Sequence, residues 1–116
     1  MPTPIIFTHF VRDNGRKLSE VNPGSDEFAL TPLHAKVAID FLSGSQVAVW
    51  GGDVMSDADG KLTYVHENWH CERLSGEDPA IFIRRSHAQA RVFIEGLAKR
   101  GDPSLFVVLV CSEPAR

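Results

Sequence analysis

The middle of the chain holds one string with the residue types of a zinc site. His66-Glu67-Asn68-Trp69-His70 matches the H-E-x-x-H pattern, in which a helix places two histidines on one face around zinc and the glutamate acts as a general base. Here the string directly follows an extended strand pattern, and residues 71–76 continue no helical apolar stripe. A third histidine six positions after the second is also missing, because Gly76 stands there. We therefore interpret the string as incidental and predict no metal site, while a small metal-dependent hydrolase that uses it is the alternative function.

Other patterns that could support catalysis are weaker still. Asp53, Asp57 and Asp59 precede Gly60, but a calcium loop needs an oxygen ligand where this chain has Met55 and a glutamate at its twelfth position, which is absent. The chain has no Gly-rich phosphate loop, nucleophile elbow or Cys-x-x-Cys pair. Its remaining histidines are isolated, and we interpret them as surface or rim residues: His9, His34 and His87. The sequence thus predicts no catalytic set, no cofactor and no enzyme.

Length and composition indicate one globular domain over residues 1–116. The hydrophobic content of 43% is ordinary for a globular protein, and no apolar run approaches the ~18 residues of a membrane span. The first residues lack the basic region and cleavage site of a secretory signal. Cys71 and Cys111 lie far apart in the sequence, so we expect free thiols. Together these features predict a cytoplasmic protein without membrane contact.

The net charge of −3 conceals two segments of opposite sign. Residues 51–78 carry seven acidic side chains against two basic ones, whereas residues 79–100 carry five basic side chains against one acidic one. The two segments could simply be solvated faces that partly neutralise each other. Alternatively, the acidic segment steers a basic partner by long-range attraction. Nucleic acid is not an expected partner, because the chain is acidic and no basic patch is interleaved with aromatic residues.

Three pairs of a capping residue and a proline predict where helices begin. Thr3-Pro4, Thr31-Pro32 and Asp78-Pro79 each combine a side chain that accepts a hydrogen bond from the first turn with a residue that needs no N–H there. The predicted helices cover residues 4–14, 32–43 and 79–100. Since Asn14-Gly15 is also a hairpin turn signal, a hairpin through residues 5–20 stays open as an alternative to the first helix.

The apolar runs between the helices predict three strands. Residues 46–51 and 61–65 form a β-hairpin with a long connection, and residues 104–111 are apolar on both faces, which is typical of a buried strand. Residues 18–30 look irregular. The element order is α-α-β-β-α-β, and a right-handed return of the last strand beside the first gives a small antiparallel sheet of about three strands, covered by helices. The fold class is α+β, with strand 46–51 in the centre.

A set of motifs along this hairpin resembles a known family. Gly51-Gly52-Asp53-Val54, the turn Gly60-Lys61 and Asn68-Trp69-His70-Cys71 are similar to the immunity protein 40 family of bacterial polymorphic toxin systems. The resemblance covers roughly residues 15–96 and includes further matching positions: Ala29-Leu30-Thr31, Glu77, Phe82, Arg85-Ser86 and Ala90. The family usually has an aromatic residue where this chain has His70. The strand 104–111 looks like an extension beyond the matched part.

The resemblance implies a toxin-neutralising immunity protein, which binds and inhibits a cognate toxin domain, often a nuclease. An acidic inhibitor of a nuclease imitates the charge of phosphate. We therefore predict a partner-binding surface made of carboxylates around one aromatic anchor: Asp53, Asp57, Asp59, Glu67 and Glu72 around Trp69. Both tryptophans are core anchors by default, and Trp69 is the better candidate of the two for partial exposure because its neighbours are polar. A dimeric scaffold pairing through strand 104–111 is a further alternative, and the sequence leaves the oligomeric state open.

Overall fold

The computed structural model describes residues 3–112, which fold into three helices and two small antiparallel sheets. The predicted α+β class is confirmed. The helices are α1 (Ile5–Asn14), α2 (Pro32–Asp40) and α3 (Pro79–Ala98). The strands are β1 (Arg16–Lys17), β2 (Phe28–Ala29), β3 (Val49–Ser56), β4 (Thr63–His70) and β5 (Leu105–Cys111), with a 3₁₀ turn at Leu18–Glu20. No helix among these residues is long and apolar enough to cross a membrane.

Capping side chains fix the start of two helices, as predicted. Thr31 Oγ1 accepts a hydrogen bond from the backbone N–H of His34 at 3.2 Å, and Asp78 Oδ1 accepts one from the N–H of Ala80 at 2.9 Å. The prolines that follow each cap occupy helical positions where no N–H is needed. Residues 5–14 form a helix and not one arm of a hairpin. The prediction that Thr3 caps this helix is wrong, because Pro4 occupies the cap position and no side chain accepts a hydrogen bond from the first turn.

The main sheet has the strand order β4-β3-β5, with every pair antiparallel. The prediction that the first strand of the hairpin lies in the centre is confirmed. Its bounds were wrong: β3 begins at Val49 and runs to Ser56, and β4 continues to His70 instead of ending at residue 65. Residues 66–70 are extended despite their polarity because β4 lies at the sheet edge and most of its side chains reach solvent.

The two faces of the sheet are covered by different parts of the chain. On the helix face, α2 and α3 bury a core with the sheet residues Val49, Val54, Trp69 and Val107. On the opposite face, which we call the far face, Leu18 and Ala29 pack on Met55 and Val108.

Residues 18–30 are therefore not irregular, as the sequence had indicated. They contain the 3₁₀ turn and β2, which pairs with β1, and Leu30 exchanges two backbone hydrogen bonds with Val107 at 2.8 and 2.7 Å. This segment covers the half of the far face that lies toward the β3–β4 turn. The other half of the far face remains open around Asp53, Asn68 and Val110.

Candidate protein-binding surface

Asp53 lies on the open part of the far face. In the central strand it stands between Asn68 of β4 and Val108 of β5, and it is half-buried. The structure also brings it close to a second acidic pair, Asp26 and Glu27, at the start of β2. Burial raises the pKa of Glu27, and the neighbouring carboxylates of Asp26 and Asp53 raise that pKa further. Three carboxylates from two distant segments thus share one negative region.

Sequence reasoning missed Asp26 and Glu27 because it assigned no structure to residues 18–30. The available signal was the pair of acids immediately before Phe28-Ala29-Leu30, an apolar triplet that pairs along β5 through Leu30. The bridge between Leu30 and Val107 of β5, together with the packing of Ala29 on the far face, brings those acids close to Asp53.

The two aspartates of the β3–β4 connection differ in their surroundings. Asp57 Oδ2 accepts a hydrogen bond from Arg16 Nη1 at 2.8 Å, and both side chains are about one-third exposed. That ion pair ties the hairpin turn to β1. Asp59 is exposed at the hairpin tip and makes no side-chain hydrogen bond or ion pair within residues 3–112. Its charge is therefore available to a partner, whereas that of Asp57 is compensated internally.

Glu67 is also compensated internally. Both of its carboxylate oxygens accept hydrogen bonds from Arg100, at 2.9 Å from Nη1 and 2.5 Å from Nη2. These bonds with the Arg100 guanidinium hold the pKa of Glu67 below its usual range. The bidentate pair joins the edge strand β4 to the residues that follow α3. The charge of Glu67 is therefore already neutralised by Arg100 within the fold.

Glu72 follows β4 and is exposed. Its backbone carbonyl accepts a hydrogen bond from Arg85 Nη2 at 2.7 Å, but its carboxylate bonds to nothing in the described part of the chain. By contrast, the nearby Glu77 accepts bonds from Arg85 on both oxygens at 2.8 Å. The bonds with Arg85 lower the pKa of Glu77 to about 2.

Trp69 is buried, and the expectation that it would be the exposed tryptophan is wrong. Only 7% of its surface is exposed, and its ring stacks on Phe93 with the ring centroids 4.6 Å apart. The reason is visible across the sheet: a Cβ at Gly52 would lie 2.5 Å from the indole Cζ3 of Trp69. The glycine leaves room for the ring to lie flat against β3, inside the helix-face core.

Trp50 is the exposed tryptophan, with 52% of its surface accessible. It sits at a β-bulge, because Val49 pairs with Cys111 whereas Gly51 pairs with Val110. An extra residue in one strand re-aims its side chain. Gly51 is required beside it, since a Cβ there would collide with the Trp69 carbonyl oxygen.

These features describe a small domain with exposed carboxylates and one exposed tryptophan, and comparison with known proteins gives them a context. The sequence model of the family described as Immunity protein 40 matches residues 17–111. The chain belongs to the immunity protein 40 family. The match continues through β5, so that strand is part of the family fold and not an extension of it. No curated protein and no solved structure is similar enough to the chain to count as a match.

In this immunity protein, the H-E-x-x-H string has the wrong geometry for a zinc-binding helix. It lies in β4, and His66 adopts a left-handed backbone with φ of 59° where the register with β3 shifts. Glu67 is engaged by Arg100. Within residues 3–112, no three histidines, cysteines or acids are grouped so as to hold a metal ion.

Three further side chains that could react lie outside the group of carboxylates: His87, Cys71 and Cys111. His87, interpreted from sequence as a surface or rim residue, is buried, and its Nε2–H donates to the Val47 carbonyl at 2.8 Å. Both cysteines are free, as expected. Burial raises the pKa of the Cys111 thiol to about 12, so this sulfur stays protonated and is a poor nucleophile.

Proposed function

We propose that this immunity protein neutralises a cognate toxin domain by binding it through the acidic side of its β3–β4 hairpin. The family match over residues 17–111 carries the proposal. The acidic surface consists of five carboxylates on and around the hairpin that no arginine engages in the described residues: Asp26, Glu27, Asp53, Asp59 and Glu72. Asp57 and Glu67, also predicted from sequence, lie on the same hairpin with their charges compensated by Arg16 and Arg100.

The size of the hairpin fits a single interface. Eight residues of a strand span about 26 Å, and both β3 and β4 have that length. A standard protein interface buries about 800 Å² on each partner, which is a patch roughly 28 Å across. One toxin domain lying along the hairpin could therefore meet Asp59 at its tip, Asp53 on the far face and Glu72 at its base.

We further propose that the toxin is a nuclease. A nuclease must present positive charge to the phosphates of its substrate. Carboxylates placed on and beside the sheet can bind the same cations, which accelerates association and discriminates against other partners. The net charge of −3 and the concentration of acids in residues 51–78 support this proposal.

The test starts from the toxin-like open reading frame that we expect immediately upstream of the gene. An inactive form of its product is mixed with this protein in stopped-flow experiments at several salt concentrations. The double variant Asp26→Lys/Asp59→Lys reverses two exposed acids of the acidic surface. We expect it to slow association at least tenfold at low salt and to flatten the salt dependence.

The matched control is Asp13→Lys/Glu95→Lys, which changes the net charge equally on α1 and α3. We expect a smaller effect from it. If both double variants slow association equally, attraction is a property of the net charge and the assignment of this surface is wrong. If the wild-type protein neither binds nor inhibits the toxin, the proposed function itself is wrong.

A further inference from the structure

We propose that a cleft beside Trp50 receives an arginine or lysine side chain of the toxin; this inference rests on the proposed function. The cleft has a volume of about 410 Å³ and lies between the end of β4 and the start of α3. Six of its lining residues define it here: Ala48, Trp50, Cys71, Glu72, Phe82 and Ile83. Below we call it the Trp50 cleft.

The walls of the Trp50 cleft are held in place by the backbone. The Trp50 carbonyl accepts a hydrogen bond from the Cys71 N–H at 2.8 Å, and the Ala48 N–H donates to Ser112 Oγ at 2.8 Å. The bulge at Trp50 turns the indole out of the core while these bonds fix the chain on both sides of it. The backbone that carries the exposed ring is therefore fixed before a partner binds, which limits the entropy lost on binding.

The floor of the cleft is apolar. Ala48, Cys71 and Phe82 form a small buried cluster of their own, with Ile83 packed against it. Lysine and arginine bury their methylene stems on such surfaces while the charged group stays at the rim. An exposed tryptophan face next to that rim attracts a cation through the quadrupole of the ring.

The carboxylate of Glu72 favours a cation as occupant, because it lines the cleft and has no partner within residues 3–112. Arg73 also lines the cleft, and its Nε–H donates to the Glu77 carbonyl at 2.9 Å. Arg85 donates to the Glu72 backbone carbonyl at 2.7 Å, and both oxygens of Glu77 engage its guanidinium. Neither arginine bonds to the Glu72 carboxylate.

A purely apolar side chain is a poorer occupant. It would cover the Trp50 ring but would also remove water from Glu72 without replacing the lost hydrogen bonds, which costs free energy. An arginine satisfies both groups at once, because its stem lies on the apolar floor, its guanidinium stacks on the indole and its N–H groups reach the carboxylate. This double match distinguishes the cleft from an ordinary apolar groove.

The first test measures the equilibrium affinity of single variants for the inactive toxin domain by titration calorimetry. We expect Trp50→Ala to weaken binding about 30-fold or more, as at interface hot spots. Glu72→Gln keeps the shape of the side chain and should weaken binding about tenfold, as the loss of a charge-assisted hydrogen bond does. Val92→Ala, at another exposed apolar residue, is the control and should leave the affinity unchanged. Circular dichroism and urea unfolding confirm that each variant is folded.

The second test identifies the occupant. Each exposed arginine and lysine of the toxin is replaced by methionine, and double-mutant cycles are measured against Trp50→Phe and Glu72→Gln. We expect one toxin cation to couple to both residues. The inference is overturned if wild-type protein binds tightly while Trp50→Ala and Glu72→Gln bind equally well, if no cation couples to either residue, or if Trp50 instead pairs two copies of this chain in sizing experiments. Absence of wild-type binding would instead overturn the proposed function.

Discussion

Replacement by alanine should lower the stability of the fold by very different amounts at the two tryptophans of this protein. Trp69 lies in the helix-face core with 7% of its surface exposed, whereas Trp50 is 52% exposed. We predict that Trp69→Ala destabilises the fold strongly and that Trp50→Ala changes the stability little. The pair is informative because the sequence alone favoured Trp69 as the exposed residue.

The magnitude follows from the packing of each ring. Trp69→Ala removes a ring that stacks on Phe93 and lies against Gly52, so it leaves a large cavity between the sheet and α3. Such truncations cost about 3–5 kcal/mol, a large part of a typical stability of about 5–15 kcal/mol. Trp50→Ala removes a half-exposed ring and should cost about 1 kcal/mol or less.

Urea unfolding followed by far-UV circular dichroism measures both effects without relying on tryptophan fluorescence. With an m value of about 1.5 kcal/mol/M, the midpoint should fall by roughly 2–3 M for Trp69→Ala and by well under 1 M for Trp50→Ala. Trp69→Phe should fall between them, because it keeps a stacking ring and removes an indole N–H that finds no partner within the described residues. Equal midpoint shifts for the two alanine variants would refute the assignment of Trp69 to the core.

Four further predictions concern stability. Gly52→Ala should lower the stability of the fold by about 1–3 kcal/mol through overpacking against Trp69. Gly96→Ala should raise it by about 0.5–1 kcal/mol, because Gly96 is exposed in α3 and no heavy atom lies within 4 Å of the new Cβ. Urea unfolding midpoints measure both changes. The pKa of His87 is lowered, first by burial and then by the charge of Arg91. The unfolded chain therefore binds the proton more readily than the folded one, and stability should fall as the pH drops below 6.5. His87→Gln should lessen that fall in thermal melts between pH 7.5 and 5. Glu27 has a raised pKa, so the folded protein binds its proton more readily than the unfolded chain, and the contribution of Glu27 to stability decreases as the pH rises above 4.5. Glu27→Gln should therefore raise the melting temperature at pH 7. An unchanged melting temperature would contradict the crowding of carboxylates around Glu27.

The helices could be predicted from local chemistry, and the structure shows why. Thr31 and Asp78 accept hydrogen bonds from the first turns of α2 and α3, and these contacts depend only on residues three or fewer positions away. The strand order also followed from general rules of connection. These local capping contacts are present in the folded protein because no distant part of the chain displaces them.

Strand bounds and the small sheet could not be predicted in the same way. The polar residues at the end of β4 are extended because their backbone pairs with β3 and most of their side chains are exposed to solvent. Residues 16–30 gain their structure from contacts with the far face and from the bridge between Leu30 and Val107. The apolar triplet Phe28-Ala29-Leu30 is the one local signal, and it does not say which strand it will pair with, because strand pairing is long-range.

The exposed tryptophan shows how register decides a binding site. Trp69 stands opposite Gly52, and only glycine leaves space for an indole to lie across the strand. Trp50 immediately precedes the bulge-associated Gly51, so it is directed away from that space. Two glycines in one strand thus place one tryptophan in the core and the other at the surface. Polar neighbours in sequence could not reveal this, since the deciding contacts are across the sheet. A one-residue shift of β4 would move Trp69 to the far face of the sheet, because side chains alternate between the two faces of a strand.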